Sequence, residues 1–172
     1  SEELPGGNVL ISSRAWGGRF YNIFTFTDRR TAQGQWGEKA FSGKDNGGVE
    51  ANQNACNGEV MVVRATRQSD GKKTNLLLQS LPLGPGRANV GIYFKDLADA
   101  TSYASPQALA ANWAGPYQVT DKPSAYSTMT LQHNGKIGFL YEEETHCGTQ
   151  GGGYTIVYRP LTLQEITNGL YR

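Results

Sequence analysis

Little in this chain points to a membrane span, a metal site or a nucleic-acid partner. No apolar run approaches the ~20 residues of a bilayer-spanning helix, and the first residues lack the pattern of a secretory leader. Charge is sparse and balanced, 16 Lys+Arg against 15 Asp+Glu, which gives no ground for a nucleic-acid or membrane-surface partner. Cysteine occurs twice, at Cys56 and Cys147, in neither zinc-ligand nor CxxC spacing. Both cysteines lie in polar, glycine-containing loops, and a disulfide and two separate thiols both fit. Glycine, by contrast, is plentiful: 22 of 172 residues, with Asn-Gly and Gly-Gly pairs throughout. That composition suits a turn-rich, all-β chain, long enough for one domain with a sizeable core.

The strand-like segments come in similar pairs. Asn8–Arg14 (NVLISSR) precedes Asn22–Asp28, Thr74–Leu81 (TNLLLQSL) precedes Ala88–Asp96, and Lys136–Glu142 (KIGFLYE) precedes Tyr154–Pro160. Aligning VLISSR, LLLQSL and IGFLYE sets the units roughly 60–70 residues apart. Weaker strands are expected at Gln35–Ser42, Glu59–Ala65, Tyr117–Thr120 and Ala125–Gln132. About four strands per unit suits the blades of a β-propeller; an irregular β-sandwich shares the same alternation. Thr162-Leu-Gln-Glu165 is a capping box and Gly169 a helix stop, predicting a short helix over 162–168. The opening SEELPGG reads as a turn out of a strand already running. Roughly three blades do not close a ring, so the chain is expected to be the C-terminal part of a larger propeller, with N-terminal blades elsewhere and apolar sheet faces left uncovered.

Four residues share one end of these units. Arg14 and Glu142 close the aligned strands, Arg87 stands in the loop PGRAN, and Tyr126 opens the hairpin that leads to Glu142. Singly, each is what an ordinary strand end carries; together they mark one rim. The segments ELPGGNVLISSR, SLPLGPGRANVGIYF, SAYSTMTL and NGKIGFLYE, in that order, resemble the bacterial-type exo-α-sialidases (neuraminidases) over almost the whole chain. The closing YTIVYRPLTLQEITNG is similar to that family's last blade and helix.

The resemblance implies a six-bladed propeller that removes terminal sialic acid from glycoconjugates with retention of configuration. It implies no cofactor or metal, sialylated glycans as substrate, the enzyme's own N-terminal blades as partner, and a secreted or periplasmic location. Arg14 and Arg87 would be two members of an arginine triad on the sugar carboxylate, Tyr126 the nucleophile, and Glu142 the residue orienting the first arginine. In the family, the loop ending Cys-Asn-Gly approaches the pocket, which makes Gln53 and Asn54 possible contacts to the sugar's side arms; an ordinary surface loop is the competing reading.

Physical chemistry agrees with these roles. Sialic acid carries its carboxylate on the carbon that is attacked, and a planar guanidinium holds a carboxylate through paired, charge-assisted hydrogen bonds. An anionic nucleophile would meet that carboxylate at ~4 Å, a repulsion of about 4 kcal/mol at an effective dielectric of 20. A neutral phenol avoids it, and sialidases are exceptions to the carboxylate nucleophile of retaining glycosidases. A phenol ordinarily ionises near ~10, so it needs a base and nearby positive charge.

The departures are specific. The family's acid/base aspartate, its first arginine and its glutamate base have no counterpart here. Glu2 and Glu3 stand too close to the Leu-Pro-Gly-Gly turn for the last role. The Asp-box turn signature survives only loosely, as Asp28…Gly34…Trp36 and Asp96…Trp113, and His133 and His146 inherit no role. The competing function is a sialic-acid-binding propeller, a lectin or adhesin, that keeps the arginines without turnover. A lectin has no use for a tyrosine at the attacking position.

Overall fold

Short alternating segments separated by turn residues satisfy their backbone groups most simply by pairing with the next strand along the chain. The computed structural model describes residues 1–144 and 153–172 and shows that arrangement three times over. The first sheet holds β1 (Glu2–Glu3), β2 (Val9–Ala15), β3 (Gly18–Asp28) and β4 (Gln33–Trp36) in order, with β5 (Ala40–Ser42) also on β3. The second holds β6 (Val60–Thr66), β7 (Lys73–Pro82), β8 (Val90–Asp96) and β9 (Ala114–Gln118). The third holds β10 (Ser124–Leu131), β11 (Ile137–Glu144) and β12 (Tyr154–Leu161). All the pairings are antiparallel, and no sheet among the described residues closes on itself. The protein is all-β.

The aligned segments VLISSR, LLLQSL and IGFLYE fall on β2, β7 and β11, the second strand of each sheet. The first strands lie side by side, β1 against β6 and β6 against β10. The strand expected at Gln35–Ser42 divides into β4 and β5, which pair with opposite ends of the eleven-residue β3. Between them Gly37 donates its N–H to the Ile23 carbonyl at 2.9 Å. Helix α1 (Pro106–Ala110) has no counterpart among the expected elements. Ser105 caps its start, and the buried Lys95 amine donates to the Ala108 and Ala111 carbonyls at 3.0 and 2.5 Å. The C-terminal helix α2 (Leu163–Ile166) is shorter than expected, but its Thr162/Glu165 capping box is formed. Among the described residues no helix is long and apolar enough to cross a membrane.

The middle sheet is covered on both faces, which explains why β7 reads as a near-continuous apolar run instead of an alternating one. Leu76 and Leu78 join Ile92, Met129, Phe139 and Ile166 in a core shared with the third sheet and α2. Leu77 and Leu81 face the other way, packing with Leu10, Tyr21, Tyr93 and Trp113 against the first sheet. Each leucine so buried contributes about 1.5–3 kcal/mol. The outer sheets leave large apolar side chains in solvent, including Trp36, Phe41, Ile156 and Tyr158.

Asp96 fastens the C-terminus to the second sheet. Its Oδ2 accepts from Arg67 at 2.6 Å and from the Tyr171 hydroxyl at 2.8 Å, while Oδ1 accepts from the Thr74 hydroxyl and the Ala98 N–H. Burial raises the Asp96 pKa, but these four donors outweigh it and hold the carboxyl below its ordinary value. A depressed carboxyl contributes stability that is full above the ordinary carboxylate range and is lost as pH falls through the folded value. Asp96→Asn is therefore expected to cost about 1–3 kcal/mol at neutral pH, at about 2–4 °C in Tm per kcal/mol for a chain of this size. Its melting temperature should also vary less between pH 5 and 3 than that of the parent. Parallel acid melts of the two proteins would show the carboxylate to be inert.

Candidate functional site

Each of the predicted rim residues is delivered by a separate piece of backbone. Arg14 comes from the end of β2, next to the tight turn into β3, where its cross-strand neighbour is Arg19. Arg87 sits in the connection from β7 to β8. That loop is folded by Leu83 N–H to Asn89 O (3.1 Å), Gly84 N–H to Ala88 O (3.0 Å) and the Asn89 amide to Gly84 O (2.7 Å). Gly84 has a φ of +89°, and a Cβ there would lie 2.1 Å from the Asn52 carbonyl oxygen, so no other residue fits. Arg87 O then accepts from Ser124 N–H at 2.9 Å, and Ser124 Oγ accepts from Val90 N–H at 2.8 Å. These two bonds tie the arginine loop to the start of β10, two residues before Tyr126.

The result is direct contact. The Arg87 guanidinium carbon lies 5.6 Å from the centre of the Tyr126 ring, a cation–π geometry. Glu142, across the β10–β11 hairpin, accepts the Tyr126 backbone N–H at 3.2 Å. Tyr126 and Glu142 also line a groove of about 250 Å³ with Ser127, Thr128, Leu140, Tyr141 and Ile156. The Tyr126 side is open, with the residue 37% exposed, and both arginines are exposed as well.

Beneath them lies the Cys56 thiol, 4% exposed. Burial, the largest cause, raises its pKa; the Arg87 and Arg14 cations pull it down and Glu142 pushes it up, and the net direction is upward. One sulfur thus has both predicted arginines and the predicted glutamate as electrostatic neighbours. The Arg87 guanidinium is held above its ordinary value by Cys56, against desolvation, with the Tyr126 and Tyr154 phenols adding to the effect. The rim is consequently rich in positive charge beside a phenol, which is what a carboxylate ligand and a developing phenolate both require.

Of the two residues named as contacts in the 51–56 loop, one is turned inward and one outward. Asn54 is buried, its amide donating to Asn52 O (3.2 Å) and Pro82 O (3.1 Å) while Oδ1 accepts Cys56 N–H (3.2 Å). Its side chain is occupied within the loop. The backbone there bridges the two arginine loops: Gly17 N–H reaches Asn54 O, Asn52 N–H reaches Leu83 O, and Gly86 N–H reaches Asn52 O. Gln53 is exposed, at the left-handed φ of 53°. The 51–56 segment thus joins the arginine loops, a role its composition did not disclose.

Two further residues belong to the site. Arg19, 1% exposed, donates to Ser12 Oγ (2.9 Å), Ser12 O (3.1 Å) and Cys56 O (3.0 Å). Burial lowers its pKa, Tyr21 opposes that, and Arg14 lowers it further. Tyr154, at the start of β12, is an electrostatic neighbour of Arg87. Nothing in local pattern marks either residue, because both depend on which strands become neighbours. Cys147 and His146 lie outside the described residues, and so does the question of a Cys56–Cys147 pair. A scan against protein-family models finds no match to the chain, and a search of the curated proteins finds none.

Proposed function

We propose that this chain is the C-terminal part of an exo-α-sialidase propeller, holding the tyrosine nucleophile and two arginines of the carboxylate clamp. The observation that carries the reading is the Arg87 guanidinium against the Tyr126 ring, with Glu142 accepting the Tyr126 N–H and Arg14 sharing with Arg87 the electrostatic surroundings of the buried Cys56. The three consecutive meanders, with their first strands adjacent, support reading them as successive blades about one axis.

In this reading a sialoside carboxylate lies against the Arg14 and Arg87 guanidinium groups. That places the adjoining anomeric carbon over the Tyr126 hydroxyl. Attack by the phenol oxygen forms the covalent glycosyl–tyrosine intermediate and expels the aglycone, and water then releases sialic acid with overall retention. Arg87 stabilises negative charge developing on the phenol oxygen. The acid/base aspartate, the glutamate base and the third arginine come from outside these 172 residues, so the chain by itself is expected to hydrolyse no sialoside.

The test is a titration of the chain with N-acetylneuraminic acid and with its methyl ester, followed by NMR. The free acid is expected to shift the resonances of Arg14, Arg87 and Tyr126, and the ester to do so far more weakly. Equal responses to the two, or shifts confined to other residues, would overturn the proposal. Binding with no turnover, once the acid/base-bearing segment is supplied, would make the protein a sialic-acid lectin instead.

A further inference from the structure

We propose that Gln79, a fully buried glutamine in β7, sets the spacing between the arginine strand β2 and the tyrosine strand β10. The geometric claim stands on the structure alone; its catalytic consequence rests on the sialidase reading above.

Gln79 is 0% exposed and has every hydrogen-bonding capacity filled. Its Oε1 accepts from the Ser12 hydroxyl at 2.6 Å and the Tyr21 hydroxyl at 3.1 Å. Its Nε2 donates to Glu59 O at 3.1 Å and Ser80 O at 2.9 Å. Ser12 stands two residues before Arg14, on the same face of β2 by strand alternation. On the first-sheet side the network runs on to Arg19, whose Nε donates to the same Ser12 oxygen.

On the other side, the bonds lead to Tyr126. Ser80 Oγ accepts from the Ser127 hydroxyl at 2.9 Å and from Glu59 N–H at 3.0 Å. Ser127 is the residue after Tyr126. The Glu59 carboxylate accepts Met129 N–H at 2.8 Å and the Thr128 hydroxyl. The join between β6 and β7 is equally tight: a Cβ on Gly58 would lie 1.6 Å from the Ser80 carbonyl oxygen. A series of hydrogen bonds, passing through Ser80 itself, therefore links Ser12 to Ser127 across all three sheets, and among the described residues Gln79 is the one side chain bonded to both the first sheet and the Glu59–Ser80 pair.

An apolar residue at position 79 would pack the first two sheets equally well but would not define their separation so closely. Leucines on either side, Leu77 and Leu81, already supply the burial. A glutamine among them is costly unless every polar atom is matched, and matched it specifies one arrangement. Tyr126 would need to meet a carbon held by Arg14, so an error of about 1 Å in that arrangement is worth up to roughly a hundredfold in rate.

The test uses Gln79→Leu, Ser127→Ala and the conservative Ser127→Thr. Residual dipolar couplings of each variant report the orientation of the β2–β3 sheet relative to the β10–β11 sheet without any ligand. Both disruptive variants are expected to change that orientation beyond error, and Ser127→Thr to restore it. In the complete enzyme they are expected to lower kcat at least tenfold while the affinity for a carboxylate-bearing inhibitor changes less than threefold. If Gln79→Leu does not fold, Ser127→Ala decides. An unchanged orientation in the folded variants overturns the proposal, and a changed orientation with kcat unaffected overturns its catalytic consequence. A changed orientation in a protein that neither binds nor cleaves sialosides leaves the spacer role standing and removes the functional reading.

Discussion

Tyr126→Phe, on the sialidase reading proposed above, is expected to cost the complete enzyme about a thousandfold or more in turnover, roughly 4 kcal/mol of transition-state stabilisation, with little loss of sialic-acid binding. The substitution removes one oxygen and leaves the ring. The ring is what Arg87 packs against, at 5.6 Å, and the backbone N–H held by Glu142 is untouched. The arginine clamp and the groove beside Tyr126 should therefore survive. What disappears is the atom that, in that reading, bonds to the anomeric carbon, and without it the proposed reaction would lose its covalent intermediate. The measurement is kcat on a fluorogenic α-sialoside beside the dissociation constant of a non-hydrolysable sialic-acid analogue. Near-parental turnover in the variant would rule out Tyr126 as nucleophile. A parallel collapse of binding would mean that the hydroxyl serves recognition instead.

The second large effect belongs to the arginines. Arg87→Ala is expected to weaken carboxylate-bearing inhibitors by roughly ten- to a hundredfold, or about 1.5–3 kcal/mol, and Arg14→Ala to do the same. Both guanidinium groups are exposed, so water tempers the loss well below that of a buried ion pair. Arg87 should also reduce kcat, since it is the cation against the Tyr126 ring. Arg14 has no such contact to lose, and its variant should act mainly on binding. Arg87→Lys is not expected to rescue, because an ammonium group presents neither the fork nor the flat face. Isothermal titration with the free acid and its methyl ester checks the point: the parent should distinguish them strongly and either alanine variant much less. A parent indifferent to esterification would remove the clamp altogether.

The sequence by itself determined the strands and their order. Alternation over NVLISSR, TNLLLQSL and KIGFLYE, set off by Asn-Gly and Gly-Gly turns, leaves the backbone few options besides antiparallel meanders, and β2, β7 and β11 lie where those segments do. The Thr162/Glu165 capping box is equally local and equally legible. Position along the strand was enough to put Arg14 near the end of β2 and Tyr126 near the start of β10, whereas Glu142, expected to close its strand, lies two residues inside β11, which runs on to Glu144. Helix α1 escaped notice because five residues carry too little periodicity to register, and its end is secured by Lys95 from the preceding strand, a contact that only the folded chain shows. The same reason governs the site. Whether Arg87 touches Tyr126 depends on Ser124 and Arg87 sharing a hydrogen bond across 37 positions. Asn54 stood as a possible ligand contact through the resemblance of its Cys-Asn-Gly loop; only the folded chain shows its amide occupied by Asn52 and Pro82. Arg19 and Gln79 are the sharpest cases. A charged or amide side chain in a strand reads as solvent-facing until two sheets close over it, and only tertiary packing decides which polar groups must then find partners.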